Sequence, residues 1–557
     1  MSDASNGDSD LLTSPLEGAS VGRLFVIGGP ICLAVAIALS LWVSYLHVRF
    51  TAVVQAPGAM QPGRPFVVRT QVVPEGSAPL PPLEGEAWLE REGERLDLGP
   101  LSSARTDGIM QATVTTPSLE PGPASLHVAL RSANGEGMEP MLESVEVLIE
   151  DPLPGIEPKP LVAGSTLQHG DDSQPQPPGA RIVVRSHGRL LSEFDNTLYV
   201  RVTKPDGTPW VGEVEVALVS GAFAGSKARD GETPVLARGA LDPWGVFPVR
   251  GLLASAVLRV EVRVLGSGDK PLHRRTARMV SFAGGVVLRP SVLAVSPSEP
   301  SLELSLESLR RKRPVFVDVH GPAGAWISTV TPPLRVGEEP RPWTSQRVAP
   351  GILQFEAYPA PHAPGESTAL ARVQVVEGEP GARSSLKPLV SLQRAGLHAP
   401  RVEAHYDAEL EEKYWAAIED IELTPKQVSA ARAYLLGTLP LSAYGPEVAL
   451  VNRERVLGAM ASKKRNWTIG MRWVLLGGGG LFLALMTLTM VRAHARGAAA
   501  TVEALGRIDG EAARAEAELA VTQAQRAAFW RGLVVIVVMA LALAGTTLML
   551  ESLLWAH

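Results

Sequence analysis

A mainly β chain of tandem sandwiches, with a small α-helical segment and three transmembrane helices, is the fold class this sequence of 557 residues predicts. Three observations carry it. Long uncharged apolar runs lie at Leu24 to Tyr45, Trp473 to Val491 and Leu533 to Leu550, with no Asp, Glu, Lys or Arg in their interiors. Between them, apolar residues recur at every second position, the mark of half-buried strands. Gly (53) and Pro (46) are abundant while aromatic residues make up 5%, a balance suited to short strands and many turns.

A bilayer core of roughly 30 Å takes about 20 apolar residues in helix, a length each run meets or nearly meets. The first run is expected as a retained span (23–47) behind a cytoplasmic tail (1–22). Its leading segment is acidic (Asp3, Asp8, Asp10, Glu17) with Arg23 its single base. A cleaved signal would leave through a small-residue site; here the exit reads Trp42 to His47, and Trp42 and Tyr45 suit an interfacial anchor. The spans 473–491 and 532–551 enclose a loop carrying Arg492, Arg496, Arg507, Arg514, Arg526 and Arg531. Positive charge in a short loop marks the cytoplasmic side, so everything between the first two spans is expected outside, in the periplasm of a bacterial inner-membrane protein. Lys463, Lys464, Arg465 and Arg472, just before the second span, pull the other way.

Residues 48–150 form the first β unit, with alternation in Phe66 to Val73 and Val145 to Glu150 and turn residues between. A Pro-rich spacer covers 151–180. The second unit, 181–283, has the clearest period: Leu198, Val200 and Val202 share a face, Lys204 to Pro209 turns the chain, and Val214, Val216 and Leu218 follow. Leu258, Val260, Val262 and Val264 alternate with Arg259, Glu261 and Arg263. The segment Leu198 to Leu218, and the Asp242-Pro-Trp-Gly245 turn after it, resemble strand-turn-strand units of bacterial Ig-like and macroglobulin-type domains. That resemblance implies tandem Ig-like sandwiches and little about function. The reactive thioester Cys-Gly-Glu-Gln of true macroglobulins is absent, because the single cysteine, Cys32, lies in the first apolar run; covalent trapping of proteases is not implied. A third unit, 284–378, places Val315, Val317 and Val319 on one face, with Leu353, Phe355 and Ala357 in a later strand.

After a linker (379–400) the pattern becomes helical. A helical collar is expected over 401–472, packed beneath the β units near the membrane surface. It comprises a helix within Glu403 to Ile421, a second opened by the capping box Thr424-Pro-Lys-Gln427 and stopped near Gly437, and a third from about Pro446 towards the second span. The 492–531 loop, with Glu503 and Arg507 four residues apart, reads as a helical hairpin broken near Asp509-Gly510. It serves either as a plain connector or as a docking point.

Chemistry is sparse. His169 to Asp172 falls in the spacer, and His405, Asp407, Glu409, Glu411 and Glu412 read as charged helix surface, His405 and Glu409 lacking further metal ligands. No G-x-S-x-G elbow, P-loop or dinucleotide fingerprint follows a strand. Neither a catalytic residue nor a cofactor or metal is assigned. The net charge of -6, without a basic stripe, argues against nucleic acid. Gly477, Gly478, Gly479 and Gly480 fit close helix packing in lipid, or else backbone flexibility. Arg310, Arg311, Lys312 and Arg313 form either a solvated turn or a contact for an anionic glycan or lipid. The expected partners are the lipid bilayer and other envelope proteins. The sequence points to a non-catalytic scaffold or binding protein, ahead of a sensor relaying binding to the 492–531 loop and a membrane-bound hydrolase.

Overall fold

The computed structural model describes residues 50–555, apart from 75–78, 104–107, 136–137, 162–175, 229–232, 268, 284, 310–313, 332, 336, 360–367, 396–406, 446–447 and 507–510, together with residues 31, 34, 35, 38 and 39. It divides into two compact units, one built by Ala52–Pro74 and Ala78–Val451, the other including Asn452–His557.

Strands dominate the larger unit. In its first part the long strand Glu94–Ser103 pairs with Leu83–Arg91 and then, through Ser102 and Ser103, with Ile109–Thr115, so it passes from one half of the sheet to the other. Gly85 sits where the halves meet: a Cβ there would lie 3.0 Å from Leu130 and 3.2 Å from Leu101 and Met110. The second part is a sandwich of a three-stranded sheet (Arg181–Ser186, Asp195–Thr203, Val246–Leu252) and a four-stranded sheet (Glu213–Ser220, Val235–Ala240, Val257–Leu265, Pro271–Val280). All ten alternating apolar residues picked out of this part, from Leu198 to Val264, enter one core cluster. Asp242 shapes the turn after it: its Oδ1 accepts from the Trp244 and Val246 amides at 2.9 and 2.8 Å, and Gly245 takes φ +70°. The third part packs a three-stranded sheet against a five-stranded one around Val315, Val317, Leu353, Phe355 and Ala357.

These parts are joined by buried polar contacts. Phe66, Val67, Val68, Arg69 and Thr70 are all buried, because both faces of the strand Pro65–Pro74 are covered. Arg69 leaves that strand towards the third part and pairs with Asp318, both side chains fully buried. Its Nη1 donates to Asp318 Oδ2 (3.1 Å) and to the Tyr358 hydroxyl (3.0 Å), its Nε to Gln111 (2.9 Å) and its Nη2 to Thr329 (3.1 Å). Tyr358 donates in turn to Asp318. The guanidinium lies over the Trp326 ring, 5.0 Å from its centroid. Burial disfavours the Arg69 cation, yet Asp318 outweighs that penalty and holds its proton more tightly than usual.

The chain then closes on its own start. Leu439 and Pro440 carbonyls accept from Arg372, the first at 3.2 Å, and Glu356 accepts from the Tyr444 and Gly445 amides at 2.6 and 3.1 Å. Ser442–Ala443 pairs with Lys159–Pro160, so the start of the Pro-rich spacer is pinned rather than free; 162–175 lies outside the described residues. Val448–Val451 adds antiparallel to Val53–Ala56. This corrects the expected helix from Pro446: Val448-Ala-Leu-Val451 is a strand, and helix begins at Arg453. A short β-branched run beside an open sheet edge gains ladder bonds that a lone helical turn lacks.

Three helices cover the second part: α1 (Lys387–Ala395), α2 (Ala408–Ala417) and α3 (Pro425–Gly437). The capping box at Thr424 and Gln427 forms as expected. The helices share a core with strand residues Tyr199, Trp244 and Val246.

In the other unit, α4 (Arg453–Arg472) runs through a π-helical stretch, Trp473–Gly478, into α5 (Gly479–Gly506), and α6 (Glu511–Trp555) follows. Among the described residues two helices, not three, are long and apolar enough to cross a membrane, within Ala461–Gly497 and Arg514–Met549. The run Leu24 to Tyr45 lies outside the described residues except at five positions. A Cβ on Gly479 would meet Leu543, and one on Gly532 would meet Met490, so each helix makes room for a side chain of the other; Gly477, Gly478 and Gly480 have nothing within 4 Å.

Removing one member of a fully buried pair strands the other charge. Asp318→Asn is expected to cost about 3–5 kcal/mol, read as a lower urea midpoint of the full-length protein by Trp fluorescence. Arg69→Met with Asp318→Leu should recover part of that loss; an Asp318→Asn midpoint equal to wild type refutes the joint.

Candidate functional site

Among the described residues, the densest meeting of ionisable side chains lies between the three-stranded sheet of the second part and the helices. On that sheet Arg181 stands opposite Thr203, Val183 opposite Arg201, and Arg185 opposite Tyr199, all on the face turned from the sandwich core. Helix α2 supplies Glu411, with Tyr414, Trp415 and Ile418 following at helical spacing as one buried stripe. Asp407 caps this helix through the Glu409 and Leu410 amides.

Glu411 is 1% exposed and faces three arginines. Arg201 holds it bidentately, Nη1 donating at 3.0 Å; Arg181 lies at 3.4 Å and Arg185 at 3.8 Å. The Arg201 guanidinium stacks over the Tyr414 ring at 4.3 Å and reaches the Tyr434 hydroxyl at 3.4 Å. Tyr414 donates to the Trp244 carbonyl at 3.1 Å. Burial opposes the Glu411 charge, but the arginines outweigh it and hold its carboxyl far below the usual range. A carboxylate so firmly ionised, with its oxygens committed to guanidinium donors, is neither proton donor nor acceptor near neutral pH. The constellation is a joint rather than a catalytic centre.

Arg310, Arg311, Lys312 and Arg313 lie outside the described residues, as do His169 to Asp172 and His405. Glu411, read as surface charge, is the most deeply buried member of its acidic cluster, while Glu409 and Glu412 are exposed and pair with Lys413 (2.6 Å) and Arg394 (2.6 Å). Its place in the stripe with Tyr414, Trp415 and Ile418 was the signal that separates it from them. Among the described residues no group of three or more His, Cys, Asp or Glu is placed to hold a metal. An open cleft of about 340 Å³ lies on the first part, between apolar Leu83, Leu101 and Met110 and the ion pair of Glu84 with Arg131. Nearby, Trp88 stacks on His127 with centroids 5.3 Å apart, and Arg95 covers the Trp88 ring. These groups can contact another molecule, and none forms a nucleophile–base pair.

The joint carries a pH signature. The folded-state pKa of Glu411 lies below its ordinary 4.5, so its stabilisation is complete above about 4.5 and is lost as pH falls towards the folded value. Burial raises Asp242 to about 6 from 3.8; its effect has the opposite sign, a penalty above 6 that fades on acidification. Glu411→Gln leaves Asp242 unchanged and is expected to cost about 3–5 kcal/mol at pH 7. Its urea midpoint should fall less steeply than wild type between pH 5 and 3; parallel slopes contradict the assignment.

No family model and no curated protein matches this chain. Among solved structures it is similar to the α-2-macroglobulin of Salmonella reacted with methylamine (13% identity, 58% of this chain and 23% of that one, TM-score 0.15). It is also similar to the native conformation of E. coli α-2-macroglobulin (14%, 60% and 23%, 0.16) and to a tetra-tandem repeat from the extending region of a large adhesion protein (12%, 58% and 74%, 0.15). The chain spans about a quarter of the length of the macroglobulins it resembles.

Proposed function

We propose that this chain is a non-catalytic scaffold or binding protein of a bacterial inner membrane, its β-rich unit in the periplasm and its partners other envelope proteins. The observation that carries this reading is the pair of helices within Ala461–Gly497 and Arg514–Met549. Their apolar side chains, among them Leu481, Leu541 and Leu548, are uncovered by protein. A soluble protein leaves little apolar surface of that extent bare. At 1.5 Å per residue each helix exceeds a bilayer core of roughly 30 Å. The Arg-rich stretch between them supports a cytoplasmic loop, which leaves the β-rich unit outside. Two findings favour a binding role over a reaction: the buried ionisable groups described above are spent on internal joints, and the Glu84 carboxylate at the open cleft is paired with Arg131.

A sensor reading has one observation in its favour. Gly479–Gly506 and Glu511–Trp555 continue from the apolar stretches into the Arg-rich connection as unbroken helices, a rigid path for a displacement.

With Cys32→Ser as background, thiols introduced by Ser226→Cys and Ala499→Cys should react with an impermeant maleimide from opposite sides of sealed vesicles. Membranes washed with alkaline carbonate should retain the chain. Labelling of both thiols from one side, or release by carbonate, overturns the proposal.

A further inference from the structure

The strand Pro271–Val280 closes one side of the four-stranded sheet, and its outward residues read Leu272, Arg274, Thr276, Arg278 and Val280. The neighbouring strand Val257–Leu265 places Arg259 directly opposite Arg278 and Arg263 directly opposite Arg274, with Glu261 opposite Thr276 between them. Like charges facing one another across an antiparallel pair are unfavourable. Arg263 is relieved by Glu215 (2.8 Å) and by Glu261, which leaves Glu261 committed. Arg259, Arg274 and Arg278 are exposed, and among the described residues none of them has a carboxylate within ion-pair distance. Charges that merely guard a sheet edge belong on the terminal strand. Here Arg259 stands on the inner neighbour, where guarding needs no charge and where it raises the repulsion.

We propose that this face is a docking surface for an acidic, extended protein segment. The pattern fits such a segment in three respects. Arg274 and Arg278 are four residues apart on one strand face, about 13 Å at 3.3–3.4 Å per residue, the separation of two carboxylates placed four residues apart on an extended chain. Arg259 doubles the positive charge at one end, so the two acidic positions are not equivalent and the segment has a preferred direction. Leu272 (58% exposed) and Val280 (48% exposed) flank the arginines on the same face and offer contact to apolar side chains at both ends. An anionic polysaccharide would have no apolar groups to match them. The surface stands or falls independently of membrane anchoring.

The test is fluorescence anisotropy with the full-length protein in detergent. The probes are labelled peptides carrying Val-Thr-Glu-Thr-Thr-Thr-Glu-Thr-Val, its two carboxylates four residues apart, or its charge reversal Val-Thr-Lys-Thr-Thr-Thr-Lys-Thr-Val. The acidic peptide should bind with an affinity that falls as salt rises, and the reversed peptide should not bind. Arg274→Ser with Arg278→Ser should weaken acidic-peptide binding at least tenfold while leaving thermal unfolding no lower than wild type, because a repulsion has been removed. Equal affinity of wild type and double variant, or no binding up to millimolar peptide, overturns the proposal. So does arginine-dependent capture of the protein by phosphatidylglycerol vesicles in the absence of acidic-peptide binding, which would assign the face to lipid.

Discussion

Four residues at each end of the β-rich unit set the frame for everything between them. Val53 to Ala56 and Val448 to Val451 lie antiparallel in one ladder, so the chain leaves the unit beside the place where it entered. Nearly four hundred residues are thereby closed into a loop whose ends leave on the same side. Loop-closure entropy grows only as the logarithm of length, but a four-residue ladder cannot hold such a loop alone. The closure depends on the contacts that carry residues 438–451 back: the Glu356 carboxylate on the Tyr444 and Gly445 amides, and Arg372 on the carbonyls of Leu439 and Pro440.

The same logic runs through the interior. Arg69 with Asp318 joins the first β part to the third, and Glu411 with Arg181, Arg185 and Arg201 joins the second to the helices. Buried pairs of this kind add little net stability, since desolvation consumes most of the attraction. They do penalise any arrangement that separates the partners. Apolar faces tolerate sliding; a guanidinium held by a carboxylate, a tyrosine, a threonine and a glutamine does not. The β parts are therefore fixed in register with one another by chemistry that apolar packing cannot supply. Among the described residues the exposed Arg274 and Arg278 take no part in these joints.

Much of this frame was legible in the sequence, and the missing portion has a common cause. All ten residues named from the alternation between Leu198 and Val264 lie in the second core, because a half-buried strand has only two faces. The capping box at Thr424 and the Asp242 to Gly245 turn were local, and local chemistry is readable. What escaped was long-range. Arg69 and Asp318 are 249 positions apart, and each alone resembles an ordinary surface charge. Arg201 occupies the face expected to meet water, yet Tyr199 and Val246 share that face, and two apolar neighbours were a hint that something covers it. The strand at Val448–Val451 was missed for the same reason: its partner lies at the other end of the unit.

The closure is also what brings both ends of the β-rich unit to one place, so it is the feature to test most directly. Val53 and Val451 are paired across the ladder, Val451 half exposed and open to oxidant. Directly opposed residues in such a ladder have Cα atoms about 4.5–5.5 Å apart, within reach of a disulfide. In a background lacking Cys32, Val53→Cys and Val451→Cys together should cross-link almost completely on mild oxidation, giving a reducible shift in gel mobility. Two thiols that stay reduced and freely alkylated under those conditions would show that the unit is open at its base.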